Sequence, residues 1–316
     1  MCGLSGIVDD LCCTPMHALS RRAALTLGAV VVLGSLSSCG GSGSTATLPK
    51  VSGAFGATPK ITFPNSGPPS VLTTQVLKRG HGPVVEKGQL LVANYLGQIW
   101  RGKVFDSSFS RHVASGFPIG LNHVIPGWDK TLVGVHAGSR LLLVVPPADG
   151  YGPKGQPSAG ISGTDTLVFV VDVLGSYSST STGASTTATL HSSVGGVSVT
   201  WTPGKPPLVH VAPGTQAPKK PTVVMLSRGS GPPIAPGLVV LQYVVVDSKT
   251  NQVVDSTWKT GFPDGEVAGN PSTPSLLDRL IGIPVGSRLL LSVPKSSSGG
   301  PYVFAIDVVA QPSILG

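Results

Sequence analysis

The chain has 316 residues, enough for two domains of ordinary size. Its 42 glycines and 29 prolines, against only 11% charged residues, exclude an architecture of long amphipathic helices and favour β structure with many turns. The net charge of +8 is spread in singles and pairs such as Arg21-Arg22, Lys78-Arg79 and Lys219-Lys220, without basic runs or interleaved aromatics, which argues against nucleic acid as a partner. All four cysteines (Cys2, Cys12, Cys13 and Cys39) lie at the N-terminal end, so the remainder has no disulfide framework and no cysteine-based metal or redox site. The seven histidines are dispersed without metal-ligand spacing, and no nucleotide-binding loop occurs, so neither metal nor cofactor is expected.

The first segment reads as an address. Ser20-Arg21-Arg22 opens a basic stretch followed by an apolar run, Ala23 to Leu33, too short to span a membrane but suited to a signal peptide. It ends in Leu36-Ser37-Ser38-Cys39-Gly40, which resembles a bacterial lipobox with Cys39 as the lipidated residue. The twin arginine resembles a twin-arginine export signal, the general secretory route being the alternative. Met16 is well placed as the true start, because residues 1–15 add acidic residues and cysteines to what should be a short basic segment. Residues 1–39 are therefore expected to be a signal peptide with lipobox, and 40–50 a flexible Gly/Ser/Thr tether. The mature protein would be exported and anchored by lipid to the outer face of the cytoplasmic membrane or the cell envelope. An ordinary apolar N-terminal helix is the competing reading.

Further along, runs at 71–78 and 89–97 are rich in Val, Leu and Tyr and bounded by Gly or Pro, as strands are. A short helix is expected at about Trp128 to Val135, where Trp128, Thr131, Leu132 and Val135 share one face. Strands follow at 139–145 and 166–174, and residues 176–196, rich in Ser, Thr and Gly, read as a linker. The text then repeats. Leu77-Lys78-Arg79-Gly80 returns as Leu226-Ser227-Arg228-Gly229, Gly138-Ser139-Arg140-Leu141 as Gly286-Ser287-Arg288-Leu289, and Val168-Phe169 as Val303-Phe304. Two domains of one fold are expected, 51–175 and 197–316, each α+β with an antiparallel sheet wrapped on one short α-helix.

The first repeat resembles an FKBP-type peptidyl-prolyl cis-trans isomerase. The resemblance is carried by Asn94-Tyr95-Leu96-Gly97, Val104-Phe105-Asp106-Ser107-Ser108, Val124-Ile125-Pro126-Gly127-Trp128, Gly138-Ser139-Arg140, Asp149-Gly150-Tyr151-Gly152 and Leu167-Val168-Phe169, in the family's order over about residues 70–175. It implies action on Xaa–Pro bonds of protein substrates, without cofactor, and macrolide ligands as a family trait.

The resemblance also assigns a pocket. Trp128 would be its floor, with Tyr95, Phe105, Phe117, Val124, Ile125 and Phe169 as walls. Asp106 would be its polar contact, the Ile125 amide and the Tyr151 hydroxyl would hold substrate carbonyls, and Ile161 would close the far side. Arg111 would pair with Asp106 or Tyr95. Taken singly, Trp128, Phe169 and Val124 read as core, Asp106 as a turn cap, and Tyr151 as a loop aromatic. The loop after Asp106 is longer than in the family, and the Gly152–Thr166 loop, with Gln156, has the composition of a mobile segment.

The second repeat departs further. Val254 stands at the position of Phe105, Leu276 at that of Trp128, and Lys295 to Gly300 replaces the Tyr151 loop, while Tyr243, Asp255 and Phe304 remain. A folded, catalytically weak or silent domain is expected. A non-catalytic binding module or chaperone for envelope proteins is the alternative to an enzyme.

Overall fold

The computed structural model describes residues 47–184, 189–296 and 299–312. The proposed signal peptide, Met16 and Cys39 lie outside them. Among the described residues no helix is long and apolar enough to cross a membrane.

The first domain opens with a hairpin, β1 (Lys50–Ser52) and β2 (Lys60–Thr62). Then come β3 (Thr73–Lys78), β4 (Leu90–Ile99), β5 (Val104–Ser107), the one-turn α1 (Ser108–Arg111), β6 (Ser115–Pro118), α2 (Pro126–Leu132), β7 (Arg140–Val145) and β8 (Leu167–Tyr177). The sheet runs in the order β3-β7-β8-β4-β5, with β6 also paired to β4, and its pairings are antiparallel. The helix begins two residues before the expected Trp128 because Pro126 occupies its first turn, where a missing N–H is harmless. It stops before Gly134, whose φ of 88° no longer fits a helix.

The central strands are buried on both faces, and alternate residues serve different cores. Leu141, Leu143, Val145, Phe169 and Val171 face α2. Leu142, Val144, Val168 and Val170 face the other way, where Leu48, Val51, Ile61 and Phe63 from the N-terminal hairpin cover them. An ion pair fixes that cover. Arg140 and Asp172 sit opposite each other on β7 and β8. The Arg140 guanidinium donates to both Asp172 oxygens, at 2.5 and 2.7 Å. It also donates to the Gly53 and Ala57 carbonyls, and Gly56 N–H donates to Asp172.

The second domain repeats this plan. A three-stranded sheet, β9 (Leu190–Val194), β10 (Val197–Trp201) and β11 (Leu208–Val211), precedes β12 (Thr222–Ser227), β13 (Gly237–Asp247), β14 (Val253–Ser256), α3 (Thr257–Thr260), β15 (Asp264–Ala268), β16 (Arg288–Val293) and β17 (Tyr302–Ala310). The main sheet runs β12-β16-β17-β13-β14, with β15 on β13, which is the order of the first domain. Val197, Val199 and Trp201 cover its outer face, as the hairpin does in the first domain. Thus β9 lies inside the stretch that composition marks as linker, and β8 runs on to Tyr177. The element laid on the second sheet is a 3-10 turn, Leu276–Leu280, rather than an α-helix.

The domains pack through an apolar cluster containing Leu90, Val92, Leu174 and Tyr177 of the first and Leu238, Val240, Phe262, Val267 and Val309 of the second. Equivalent positions meet: β6 lies against β15, and a Cβ on Gly116 would stand 3.5 Å from Gly265 Cα. The interface is thus close to isologous, as expected when two copies of one fold pair through the same face.

Candidate functional site

The ten side chains singled out in the first repeat come from separate strands, loops and α2, yet the structure brings nine of them into one apolar cluster, with Asp106 at its edge. Tyr95, Ile125, Trp128, Ile161 and Phe169 are buried in it, and Phe105, Phe117, Val124 and Tyr151 pack against it half-buried. Trp128 is the hub. Its ring meets Tyr95 at 5.5 Å, Phe117 at 4.9 Å and Phe169 at 5.4 Å between centroids, each edge to face. Phe105 meets Phe169 at 5.6 Å in the same manner. Aromatic rings favour this arrangement because positive edges then face negative ring faces. The Trp128 indole N–H is buried without a hydrogen-bond partner among the described residues. An orphaned donor costs about 1–3 kcal/mol, so burial of the ring has overridden a polar penalty.

One wall is polar. The Tyr95 hydroxyl donates to Asp106 Oδ2, and Arg111 donates to Asp106 Oδ1 and, at 3.1 Å, to the Tyr95 oxygen. Burial, and then the neighbouring Asp106 carboxylate, raise the Tyr95 pKa well above the ordinary phenol value. The triad is positioned from beneath: Ser108 Oγ accepts from Tyr95 N–H at 2.8 Å and donates to Asn94 Oδ1. Across the pocket, burial first and the field of Asp106 second push the Tyr151 pKa up to about 12; a phenol hydroxyl is protonated and a donor at neutral pH with or without that shift. Among the described residues nothing hydrogen-bonds that hydroxyl, and the Ile125 N–H likewise makes no hydrogen bond.

Two residues outside the expected set shape the site. Gly97 lies under the Phe105 ring: a Cβ there would fall 2.6 Å from Phe105 Cζ and 3.0 Å from Phe169 Cε1. Asp129 accepts from Gly120 N–H and Asn122 N–H, tying the loop that delivers Val124 and Ile125. Its place one residue after Trp128 was the available signal. The Tyr151 loop is closed on itself, with Gln156 and Ile161 exchanging backbone hydrogen bonds of 2.8 and 3.1 Å.

Among the described residues the second domain does not repeat this ring cluster. Asp129 and Asp278 each accept from a glycine nine residues earlier, which makes Leu277, rather than Leu276, the counterpart of Trp128. Glu266 occupies the register of Phe117, since Leu91 pairs with Phe117 and Val239 with Glu266. By the same pairing Asp264 takes the place of Ser115. Thr260, the last residue of α3, stands at the position of Arg111 in α1. Tyr243 therefore faces two carboxylates, Asp255 at 3.3 Å and Asp264 at 3.1 Å. Burial raises the Asp264 pKa above the usual carboxylate range. Val245 and Val254 stand where Gly97 and Phe105 do, so the ring and the gap that admits it are lost together.

Residues 82–174 match the FKBP-type peptidyl-prolyl cis-trans isomerase family. The chain is 34% identical over 117 residues to an FK506-binding protein of Streptomyces anulatus, over 37% of this chain and 94% of that protein. It is 39% identical over 103 residues to the FKBP-type peptidyl-prolyl cis-trans isomerase FkpA of Escherichia coli K12, over 33% of this chain and 37% of that one. The chain thus spans well under half of FkpA. The crystal structure of FkpA from Escherichia coli aligns with a TM-score of 0.31 at 38% identity, over 33% of this chain and 47% of that one.

Proposed function

The chain belongs to the FKBP-type peptidyl-prolyl cis-trans isomerase family and acts on proline-containing protein substrates, and from that premise we propose that rotation is catalysed in the pocket over Trp128. The observation that carries this is the closed set of edge-to-face rings around Trp128 with a single polar wall. Rotation about Xaa–Pro must break amide resonance against a barrier of about 18–20 kcal/mol. Uncatalysed, this takes on the order of tens of seconds or more. The planar amide is strongly dipolar and well solvated, whereas the twisted transition state has less charge separation. A dry aromatic pocket favours the latter, and Tyr151 and the Ile125 amide supply donors for the flanking carbonyls. No bond to the enzyme forms, which fits a site of rings, hydroxyls and one carboxylate paired with Arg111.

The substrates are exported or cell-envelope proteins, and the protein is held to the membrane through lipid on Cys39. The lipobox and the Gly/Ser/Thr tether support this reading. From Cys39 the segment 40–49 reaches at most roughly 35 Å. The second domain, with carboxylates where the first has an aromatic and a serine, is catalytically silent. A macrolide would occupy the same ring-lined pocket.

The test is exchange of a Xaa–Pro peptide followed with the full chain and with Phe105→Ala. The wild type should accelerate exchange, and the variant should lose about tenfold or more in kcat/KM, equivalent to about 1.4 kcal/mol or more of transition-state stabilisation. No acceleration by the folded wild type refutes the assignment.

A further inference from the structure

The second domain touches the segments that carry one side of the first domain's pocket. Phe262, between α3 and β15, meets His123 edge to face with ring centroids 6.1 Å apart. His123 immediately precedes Val124 and Ile125 of the pocket. Val113 and Ala114, which link Arg111 to β6, pack against the same interdomain cluster as Phe262 and Val267. β6, which carries Phe117, lies against β15 at Gly116 and Gly265.

The loop before α2 is held by its own domain at both ends, by Asp129 on one side and by the buried Ile125 on the other, with a gap between them. Asp129 holds it at Gly120 and Asn122. Beyond Asn122, the backbone of His123 and Val124 makes no hydrogen bond among the described residues. His123 is exposed, and the ring against it belongs to the other domain. We propose that Phe262 is a positioning residue for the isomerase: by packing on His123 it sets where Val124 and Ile125 stand, and so fixes the substrate-binding side of the pocket. The silent domain then acts as a fixed wall for the active one. This rests on the pocket assigned above.

The experiment uses the full chain and measures kcat and KM separately on a proline-containing peptide. Phe262→Ala should raise KM about 3- to 10-fold, the size one aromatic pair contact allows, with kcat within about twofold. Phe262→Tyr, which keeps the ring, should retain the wild-type KM. His123→Ala, on an exposed loop where it does not threaten the fold, should match Phe262→Ala, and the double variant should be no worse than either. An unchanged KM in His123→Ala, a Tyr variant as weak as Ala, or additive losses in the double variant overturns the proposal. If the wild type does not accelerate exchange, the pocket assignment falls with it. If the wild type is active and the variants equal it, only the role of Phe262 falls.

Discussion

Gly97 decides whether an aromatic can stand at position 105. The strand register places it beside Asp106 and Phe169, and the absent Cβ is the space the Phe105 ring uses. Gly97→Val should expel that ring, lowering kcat/KM about tenfold or more, with a stability cost of about 1–3 kcal/mol from overpacking. Peptide exchange rates and a urea titration on the same sample check both; full activity in the variant would show that Phe105 needs no such gap. That the side chains around Trp128 come together was legible, because they sit in short motifs whose order can be read directly. Gly97 lay in one of those motifs, but its role was not legible, since it depends on which residue faces it across the sheet. The same holds for Glu266 and Asp264: nothing local marks them as successors of Phe117 and Ser115 until β15 is registered on β13.

At the level of elements, the outer faces of the two sheets are closed by different straps on equivalent ion pairs. In the first domain Arg140 and Asp172 are buried and fully hydrogen-bonded to each other and to the hairpin loop. Removing one partner of such a pair costs about 3–5 kcal/mol, because the other charge is left buried. Asp172→Asn should therefore lower the urea midpoint and strip exchange protection from the Gly56 amide, and a variant as stable as wild type would deny the hairpin its anchor. In the second domain Arg288 and Asp307 stand 3.7 Å apart, and Asp307 accepts instead from Thr182 and Gly183. Burial raises the pKa of Asp307 and of Asp264 above their unfolded values. Stability from such groups is complete below about pH 4, the unfolded carboxylate range, and is lost as pH rises through the folded values. These two groups should hence make the second domain resist urea better near pH 4 than at pH 7.5, and Asp264→Asn should flatten that slope; a midpoint rising with pH would contradict it. The strands themselves were legible as apolar runs. What covers their outer faces was not, because an unbroken run shows that both faces are buried without naming the partner. Leu190–Val194 was hidden for a different reason: its serines blend with the Ser/Thr-rich text before it.

On the scale of the whole molecule, the repeat in the text corresponds to a repeat in contact. Leu90 and Val92 of β4 meet Leu238 and Val240 of β13, their own counterparts, across a seam where two glycines let β6 and β15 approach. An isologous face is self-complementary, so each half carries most of what is needed to pair with a copy of itself. Separating the domains exposes Leu90, Val92, Leu174 and Tyr177 together, a contiguous apolar patch of the kind that monomers rarely tolerate. Residues 47–184 expressed alone should therefore associate into a dimer through this face. Leu90→Glu should restore the monomer, because a charge would be buried unpaired at the centre of the seam. Light scattering at tens of micromolar distinguishes the states. A monomeric isolated domain would show that the seam is specific to the heterologous pair, and that the two copies have diverged at their interface as well as in their pockets.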